Sequence, residues 1–153
     1  MAKESLFNIL ANKVDFSKIK VLDLFSGTGS ISFEFASRGC KEIVLVENNF
    51  VHYKHIRSVI DRLKLKDVID SIKGDVFKYV KNCSEQFHLV FADPPYALEK
   101  IETLPEIILN SDILLKGGTL IFEHDFHYQF NKIAGFREKR VYGSVNFSFF
   151  EKI

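Results

Sequence analysis

The stretch Asp93-Pro94-Pro95-Tyr96 carries groups that could hold a flat amine. The Asp93 carboxylate and the Pro94 carbonyl can each accept a hydrogen bond from an N–H group, and the Tyr96 ring can stack on the face of an aromatic ligand. The two prolines remove two backbone donors and fix φ, so we predict a rigid, extended segment. The competing interpretation is an Asp-Pro turn with Tyr96 packed in the core.

The residues before this stretch predict where it lies in the fold. Leu89 to Ala92 is a continuous apolar run, which is typical of a strand buried on both faces. The Asp-Pro-Pro-Tyr stretch therefore follows the carboxyl end of a central strand. In open α/β sheets, ligands bind at that edge.

A second candidate site is the loop Ser26-Gly27-Thr28-Gly29, which joins a predicted strand to a predicted helix. Glycines permit a tight turn and allow a ligand to approach the backbone closely. The loop resembles the dinucleotide fingerprint, but Ser32 stands at the third glycine position. Asp23 at the strand end would repel a pyrophosphate, whereas it would suit an ammonium group.

Two further acids end the next two predicted strands. Glu47 could bind both hydroxyls of a ribose, and Asp75 could accept a hydrogen bond from an adenine amine. A ligand that needs ammonium, ribose and adenine partners together is S-adenosylmethionine. The competing interpretations are a structural turn with unrelated acids, or a dinucleotide-dependent oxidoreductase. The predicted cofactor-binding residues are Asp23, Phe25, Ser26, Gly27, Gly29, Glu47, Asn48, Asp75 and Val76.

Strands and helices alternate along the chain, which predicts an α/β fold with a parallel sheet covered on both faces. The predicted helices are Ala2–Asn12, Ser30–Arg38, Asn49–Leu65, Val76–Asn82 and Leu98–Asn110. The predicted strands are Lys20–Phe25, Glu42–Glu47, Val68–Lys73, Phe87–Ala92, Thr119–Glu123, Phe136–Tyr142 and Val145–Glu151.

Four local features refine this assignment. Pro105 is expected to kink or interrupt the fifth helix, and Gly117-Gly118 to introduce the fifth strand. The third helix is expected to bury the stripe Tyr53, Ile56, Ile60 and Leu63. Gly143-Ser144 is expected to form a hairpin turn, which places an antiparallel strand at an edge of the sheet.

The composition is that of one globular domain. The chain has 153 residues, of which 46% are hydrophobic and 27% charged, which argues against disorder. With 16 Phe and no Trp, the core is expected to be rich in phenylalanine. The net charge of +1 provides no global field for nucleic acid. Neither the two cysteines nor the five histidines have metal-binding spacing, and we expect a soluble, cytoplasmic protein without a metal.

Together the two candidate sites predict methyl transfer to an amine. The exocyclic amine of a nucleobase is a poor nucleophile because its lone pair is delocalised into the ring. Hydrogen bonds from its two N–H groups to Asp93 and Pro94 would free that pair, and stacking on Tyr96 would contribute ~1–3 kcal/mol. The predicted catalytic residues are Asp93, Pro94, Pro95 and Tyr96.

Three stretches resemble the RsmD family of bacterial methyltransferases, which act on guanine N2 in small-subunit ribosomal RNA. They are Val21-Leu22-Asp23-Leu24-Phe25-Ser26-Gly27-Thr28-Gly29, Asp93-Pro94-Pro95-Tyr96 and the opening Ala2-Lys3-Glu4-Ser5-Leu6-Phe7-Asn8-Ile9-Leu10. The resemblance implies a Rossmann-like class I S-adenosylmethionine-dependent methyltransferase fold, with a seven-stranded, mostly parallel sheet and an antiparallel terminal strand. It also implies cofactor contacts at Asp23, Gly27, Gly29, Glu47 and Asp75.

Members of that family carry a basic segment ahead of the opening helix, and this chain begins inside that region. We therefore expect a single catalytic domain, residues 1–153, that binds S-adenosylmethionine but methylates RNA poorly or not at all. The expected partner is ribosomal RNA or the assembling small ribosomal subunit. We expect the protein to be a monomer and not to associate with a membrane. The alternatives are methylation of adenine N6 or of a protein glutamine, and a cofactor-binding fold without activity.

Overall fold

The apolar runs of the chain form the strands of a single sheet in the computed structural model, which describes residues 1–153. The seven strands are β1 Lys20–Leu24, β2 Glu42–Glu47, β3 Ile69–Lys73, β4 Phe87–Ala92, β5 Leu114–His124, β6 Phe136–Tyr142 and β7 Val145–Glu151. Their spatial order is β3-β2-β1-β4-β5-β7-β6. Strands β1 to β5 pair in parallel, and β7 is antiparallel to both of its neighbours. The predicted mostly parallel sheet and its antiparallel terminal strand are confirmed.

Five α-helices cover the two faces of the sheet. They are α1 Ala2–Ala11, α2 Ser30–Ser37, α3 Phe50–Arg62, α4 Val76–Asn82 and α5 Leu104–Asn110. The first three pack with alternate strand residues such as Val21 and Phe91, while α4 and α5 pack with Leu22 and Val90 on the opposite face. Because successive strand residues point to opposite faces, each central strand contributes to both cores.

Both cores are rich in phenylalanine, as the composition predicts. The fully buried phenylalanines are Phe7, Phe35, Phe87, Phe91, Phe122, Phe147 and Phe150. The rings of Phe7 and Phe35 meet edge to face with centroids 4.7 Å apart, an arrangement favoured by the aromatic quadrupole.

No helix has the length and apolar character that a membrane span requires. Both cysteines are free thiols.

The segment before β5 is not the single helix Leu98–Asn110 of the prediction. A 3₁₀ turn at Ile101–Thr103 is followed by α5, in whose first turn Pro105 lies. The predicted helix is thus interrupted just ahead of Pro105, as the proline indicated. A proline is well tolerated there because the first N–H groups of a helix have no partner within it.

Strand β5 is longer than the predicted Thr119–Glu123, because it runs through Gly117 and Gly118 rather than starting after them. A Cβ on Gly118 would lie 2.7 Å from the Leu115 carbonyl oxygen and 2.9 Å from that of His88. The register against β4 shifts between Phe87 and Leu89 at this level. The two glycines therefore permit a bulge inside the strand.

Two smaller corrections concern the first predicted strand and the third predicted helix. Strand β1 ends at Leu24 because Phe25 adopts a left-handed φ of 57°. Helix α3 ends at Arg62, and Leu63 is 52% exposed, so Val59 and not Leu63 joins Ile56 and Ile60 in the buried stripe. The predicted hairpin is confirmed, with Gly143 at a φ of 62° between β6 and β7.

Candidate active site

Two cavities open at the edge of the sheet where the parallel strands end. The β1–β2 cavity has a volume of about 560 Å³ and is lined by Phe25, Gly27, Glu47, Asn48, Asn49, His52, Asp75, Val76, Phe77, Asp93, Pro95 and Leu98. The β4–β5 cavity has a volume of about 250 Å³ and is lined by Asp93, Pro94, Tyr96, Ile101, Glu123, His124, Asp125, Tyr128, Ser144 and Val145. Asp93 lines both cavities. The Asp-Pro-Pro-Tyr segment thus separates them, with Pro95 on one side and Pro94 and Tyr96 on the other.

The β1–β2 cavity is acidic. Its lining includes the carboxylates of Glu47, Asp75 and Asp93 but no lysine or arginine. Such a lining attracts a positively charged ligand and repels a pyrophosphate. This charge distribution favours a cationic nucleoside over a dinucleotide.

The Glu47 side chain is fixed by the backbone around it. The Gly27 amide donates to Oε1 at 2.6 Å, and the Asn49 amide donates to Oε2 at 2.8 Å. Only 8% of Glu47 is exposed, yet it lines the β1–β2 cavity. A carboxylate has about four lone-pair sites, so each oxygen retains capacity for a ligand hydroxyl.

The glycine loop approaches the β1–β2 cavity through Gly27. Its φ is +57°, and no heavy atom lies within 4 Å of the position that a Cβ would occupy, so a ligand can approach the backbone there. Next to it, the Ser26 hydroxyl is buried and has no hydrogen-bond partner. Phe25 lines the cavity in a left-handed conformation that costs a non-glycine residue about 1–3 kcal/mol.

Gly29 contributes to packing. At a φ of +82°, a Cβ on Gly29 would lie 2.9 Å from Cε2 of Phe33 and 3.2 Å from Cγ1 of Ile56. The glycine therefore lets α2 start close to α3. Gly29 does not line either cavity, and its predicted contact with a cofactor stays a prediction.

Asp23 lies beneath the loop, with 1% of its surface exposed. The Ser32 hydroxyl donates to its Oδ2 at 2.6 Å, which explains why a serine suits the third glycine position. Burial raises the pKa of Asp23 to about 7 despite this hydrogen bond, with smaller contributions from the charges of Asp93 and Glu47. Asp23 does not line the cavities, so its predicted contact with an ammonium group also stays a prediction.

The remaining predicted cofactor residues line the β1–β2 cavity. Asp75 caps α4 by accepting a hydrogen bond from the Lys78 amide at 3.0 Å through Oδ2. Its other oxygen has no protein donor. Val76 and Asn48 lie beside it in the lining, Val76 being buried and Asn48 exposed.

Asp93 lies at the mouth of both cavities without a protein hydrogen bond to its carboxylate. Although the residue is exposed, the walls around it desolvate the carboxylate and raise its pKa to about 6. Tyr96 is 83% exposed, so the ring is free to stack on a ligand. The Pro95 carbonyl accepts the Leu98 amide at 3.0 Å, whereas the Pro94 carbonyl has no protein donor.

Much of the β4–β5 cavity was not predicted from the sequence, above all Glu123 at the end of β5. The Asp93 and Glu123 backbones follow the paired residues Ala92 and Phe122. Desolvation, together with the nearby Asp93 charge, raises the pKa of Glu123 to about 7. An acid at a strand end was the signal that identified Glu47, and it applies equally to Glu123.

The neighbouring His124 is a packing residue. Its Nε2 lies 2.7 Å from the Ser148 hydroxyl, and its Nδ1 lies 2.7 Å from the Asp125 carbonyl oxygen. The ring meets Phe130 edge to face. Burial lowers the pKa of His124, so the neutral form is favoured.

The strand order, the antiparallel β7 and the two strand-end cavities define the class I S-adenosylmethionine-dependent methyltransferase fold. The chain belongs to the family described as conserved hypothetical protein 95, whose model matches residues 1–151. This membership and the relatives below confirm the resemblance to the RsmD family.

Two relatives and one solved structure illustrate the similarity. The chain is 26% identical to YlbH of Bacillus subtilis, named as a candidate rRNA methyltransferase, with 98% of this chain and 84% of YlbH covered. It is 23% identical to ribosomal RNA small subunit methyltransferase D of Buchnera aphidicola, with 78% of this chain and 60% of that protein covered. The fold matches the 16S rRNA N2 G1207 methyltransferase of T. thermophilus, solved with AdoMet and guanosine, at a TM-score of 0.80 and 18% identity. That match covers 99% of this chain and 43% of the other.

Proposed function

We propose that this chain transfers a methyl group from S-adenosylmethionine to the exocyclic N2 amine of a guanine in small-subunit ribosomal RNA. The observation that carries the proposal is the position of Asp93, which lines both cavities. A donor in the β1–β2 cavity and an acceptor base in the β4–β5 cavity would meet beside its carboxylate. The names of the two relatives support ribosomal RNA as the substrate, and the enzyme of similar fold acts on guanine N2.

The residues of the β1–β2 cavity fit S-adenosylmethionine. Glu47 is held in place with lone pairs available for the ribose hydroxyls, and Asp75 has a free oxygen for the adenine amine. The carboxylate lining suits a sulfonium, while Gly27 and the unpartnered Ser26 hydroxyl can approach the ligand. When bound, this cofactor supplies an electrophilic methyl group.

The residues of the Asp-Pro-Pro-Tyr segment would prepare the amine for methylation. The Asp93 carboxylate and the Pro94 carbonyl oxygen accept hydrogen bonds from its two N–H groups. These bonds localise the lone pair on the nitrogen. Because the pKa of Asp93 is about 6, its carboxylate is ionised at neutral pH and is a good acceptor. Tyr96 stacks on the base, and positioning provides most of the remaining rate enhancement. The methylated amine is acidic enough to release its surplus proton without a strong base.

The test is transfer of a tritiated methyl group from S-adenosylmethionine to undermethylated small subunits and to their free RNA, followed by nucleoside analysis. We expect labelled N2-methylguanosine, and loss of most of the label with Asp93→Ala. Labelled N6-methyladenosine or methylated glutamine would favour the corresponding alternative. Absence of label from every nucleic acid and protein substrate would favour a binding fold without activity.

A further inference from the structure

Glu123 occupies the position next to Asp93 on the neighbouring strand. The parallel register pairs Ala92 with Phe122, so the residues that follow them lie side by side, with strands about 4.8 Å apart. Both side chains line the β4–β5 cavity. A ligand group that binds Asp93 within the β4–β5 cavity can therefore also contact Glu123.

The Glu123 carboxylate has no partner within the protein. It accepts no hydrogen bond, and only desolvation and the charge of Asp93 act on its ionisation. The carboxylate of Asp125, in the same cavity, by contrast already has a donor within the protein, because it accepts a hydrogen bond from the His127 amide at 2.8 Å. Glu123 is half-buried and lines the cavity, so its oxygens are available to a ligand that brings a donor.

The edge of guanine offers such a donor. Its N1–H lies next to the N2 amine, whereas adenine has an acceptor, N1, next to its amine. With the N2 hydrogens directed to Asp93 and Pro94, the N1–H needs a further acceptor in the same cavity. We propose, on the basis of the function proposed above, that Glu123 accepts the guanine N1–H and so selects guanine over bases without that hydrogen.

The experiment compares two RNA substrates, of which only one has this hydrogen. One carries the guanine mapped in the transfer assay, and the other carries 2-aminopurine in its place, which keeps the N2 amine but has neither the N1 hydrogen nor the O6 oxygen of guanine. Because the missing O6 is common to all variants, only the change in preference between variants reports on Glu123. Steady-state kcat/KM is measured for the unaltered chain, Glu123→Ala and Glu106→Ala, an exposed glutamate on α5.

We expect Glu123→Ala to lose roughly 10–100-fold in kcat/KM on guanine and less than about threefold on 2-aminopurine, as for loss of one good base contact. The preference for guanine should then largely disappear. Glu106→Ala should match the unaltered chain on both substrates. Glu123→Gln is the second variant, since its amide can donate to an unprotonated N1. Its activity on 2-aminopurine should rise, and its activity on guanine should fall less than that of Glu123→Ala, because the amide oxygen still accepts a hydrogen bond.

Equal losses on both substrates, or an unchanged preference in Glu123→Ala and Glu123→Gln, would overturn the inference. Affinity for S-adenosylhomocysteine and the thermal midpoint of each variant establish that it is folded. If the unaltered chain methylates guanine N2 but the variants keep its preference, only the role of Glu123 fails. If the unaltered chain methylates no guanine, the proposed function fails and the role of Glu123 fails with it.

Discussion

The two cavities share Asp93 but differ in how their carboxylates are satisfied. In the β1–β2 cavity, Glu47 is held by two backbone amides and Asp75 by the first turn of α4. In the β4–β5 cavity, Asp93 and Glu123 accept no hydrogen bond from the protein. The first cavity is therefore organised by the fold itself, whereas the second leaves its acceptors to be completed by a ligand.

This difference has an electrostatic consequence. Without donors, the desolvated carboxylates of the β4–β5 cavity have a raised pKa, about 6 for Asp93 and about 7 for Glu123. A change of pH near neutrality thus changes the charge of the β4–β5 cavity. A donor-bearing ligand there would lower both pKa values.

The largest effect is expected from Asp93, the residue common to both cavities. Asp93→Ala should reduce methyl transfer by roughly 100-fold or more, because it removes an acceptor placed at the reacting amine. Asp93→Asn should retain measurable activity, since its carbonyl oxygen still accepts a hydrogen bond. Single-turnover rates at saturating S-adenosylmethionine provide the measurement. Equal losses in the two variants would indicate that Asp93 acts as a base.

A smaller effect is expected from Glu47 in the organised cavity. Glu47→Ala should weaken S-adenosylhomocysteine binding by ~1.5–3 kcal/mol, because it removes a charge-assisted acceptor and releases the Gly27 and Asn49 amides. Isothermal titration measures this change. Glu42→Ala, at the exposed start of the same strand, is the matched control and should bind normally. Unchanged affinity in Glu47→Ala would contradict the assignment.

Asp23 provides a test of how burial changes the pKa of a carboxyl group. Its pKa in the folded state, about 7, exceeds the ordinary 3.8, so the unfolded chain ionises first as pH rises. The stability that Asp23 contributes is complete below about pH 4 and is lost as pH rises through 7. Asp23→Asn should therefore reduce the fall in Tm between pH 5 and 8 by roughly 5 °C. The exposed Asp67→Asn is the control, and an unchanged fall in Asp23→Asn would show that Asp23 is not the buried acid responsible.

The smallest effect is expected from the hydroxyl of Tyr96. Stacking needs the ring alone, so Tyr96→Phe should change KM for RNA by less than about twofold. Tyr96→Ala should raise KM by roughly 10-fold, in line with ~1–3 kcal/mol for base stacking. A large loss in Tyr96→Phe would show that the hydroxyl makes a contact of its own.

Local patterns in the sequence were sufficient for most of the fold. The bounds of β2, β4, β6 and β7 agree with the prediction, because apolar runs and turn residues mark strands directly. The exceptions depend on neighbours distant in sequence. Gly118 allows β5 to pass close to the His88 carbonyl oxygen, and a 3₁₀ turn replaces the first part of the predicted fifth helix. Neither relation is visible in a local window.

For the site, the sequence by itself determined which residue types stand at the strand ends, and hence predicted Glu47, Asp75 and the Asp93 segment. Only the tertiary structure decided which of them face a cavity. It showed Asp23 buried against Ser32, Gly29 occupied in packing, and Glu123 brought beside Asp93 by the pairing of β4 with β5. The physical reason is that chemical type is a property of one residue. Accessibility and proximity arise from strand pairing and helix packing between segments far apart in the chain.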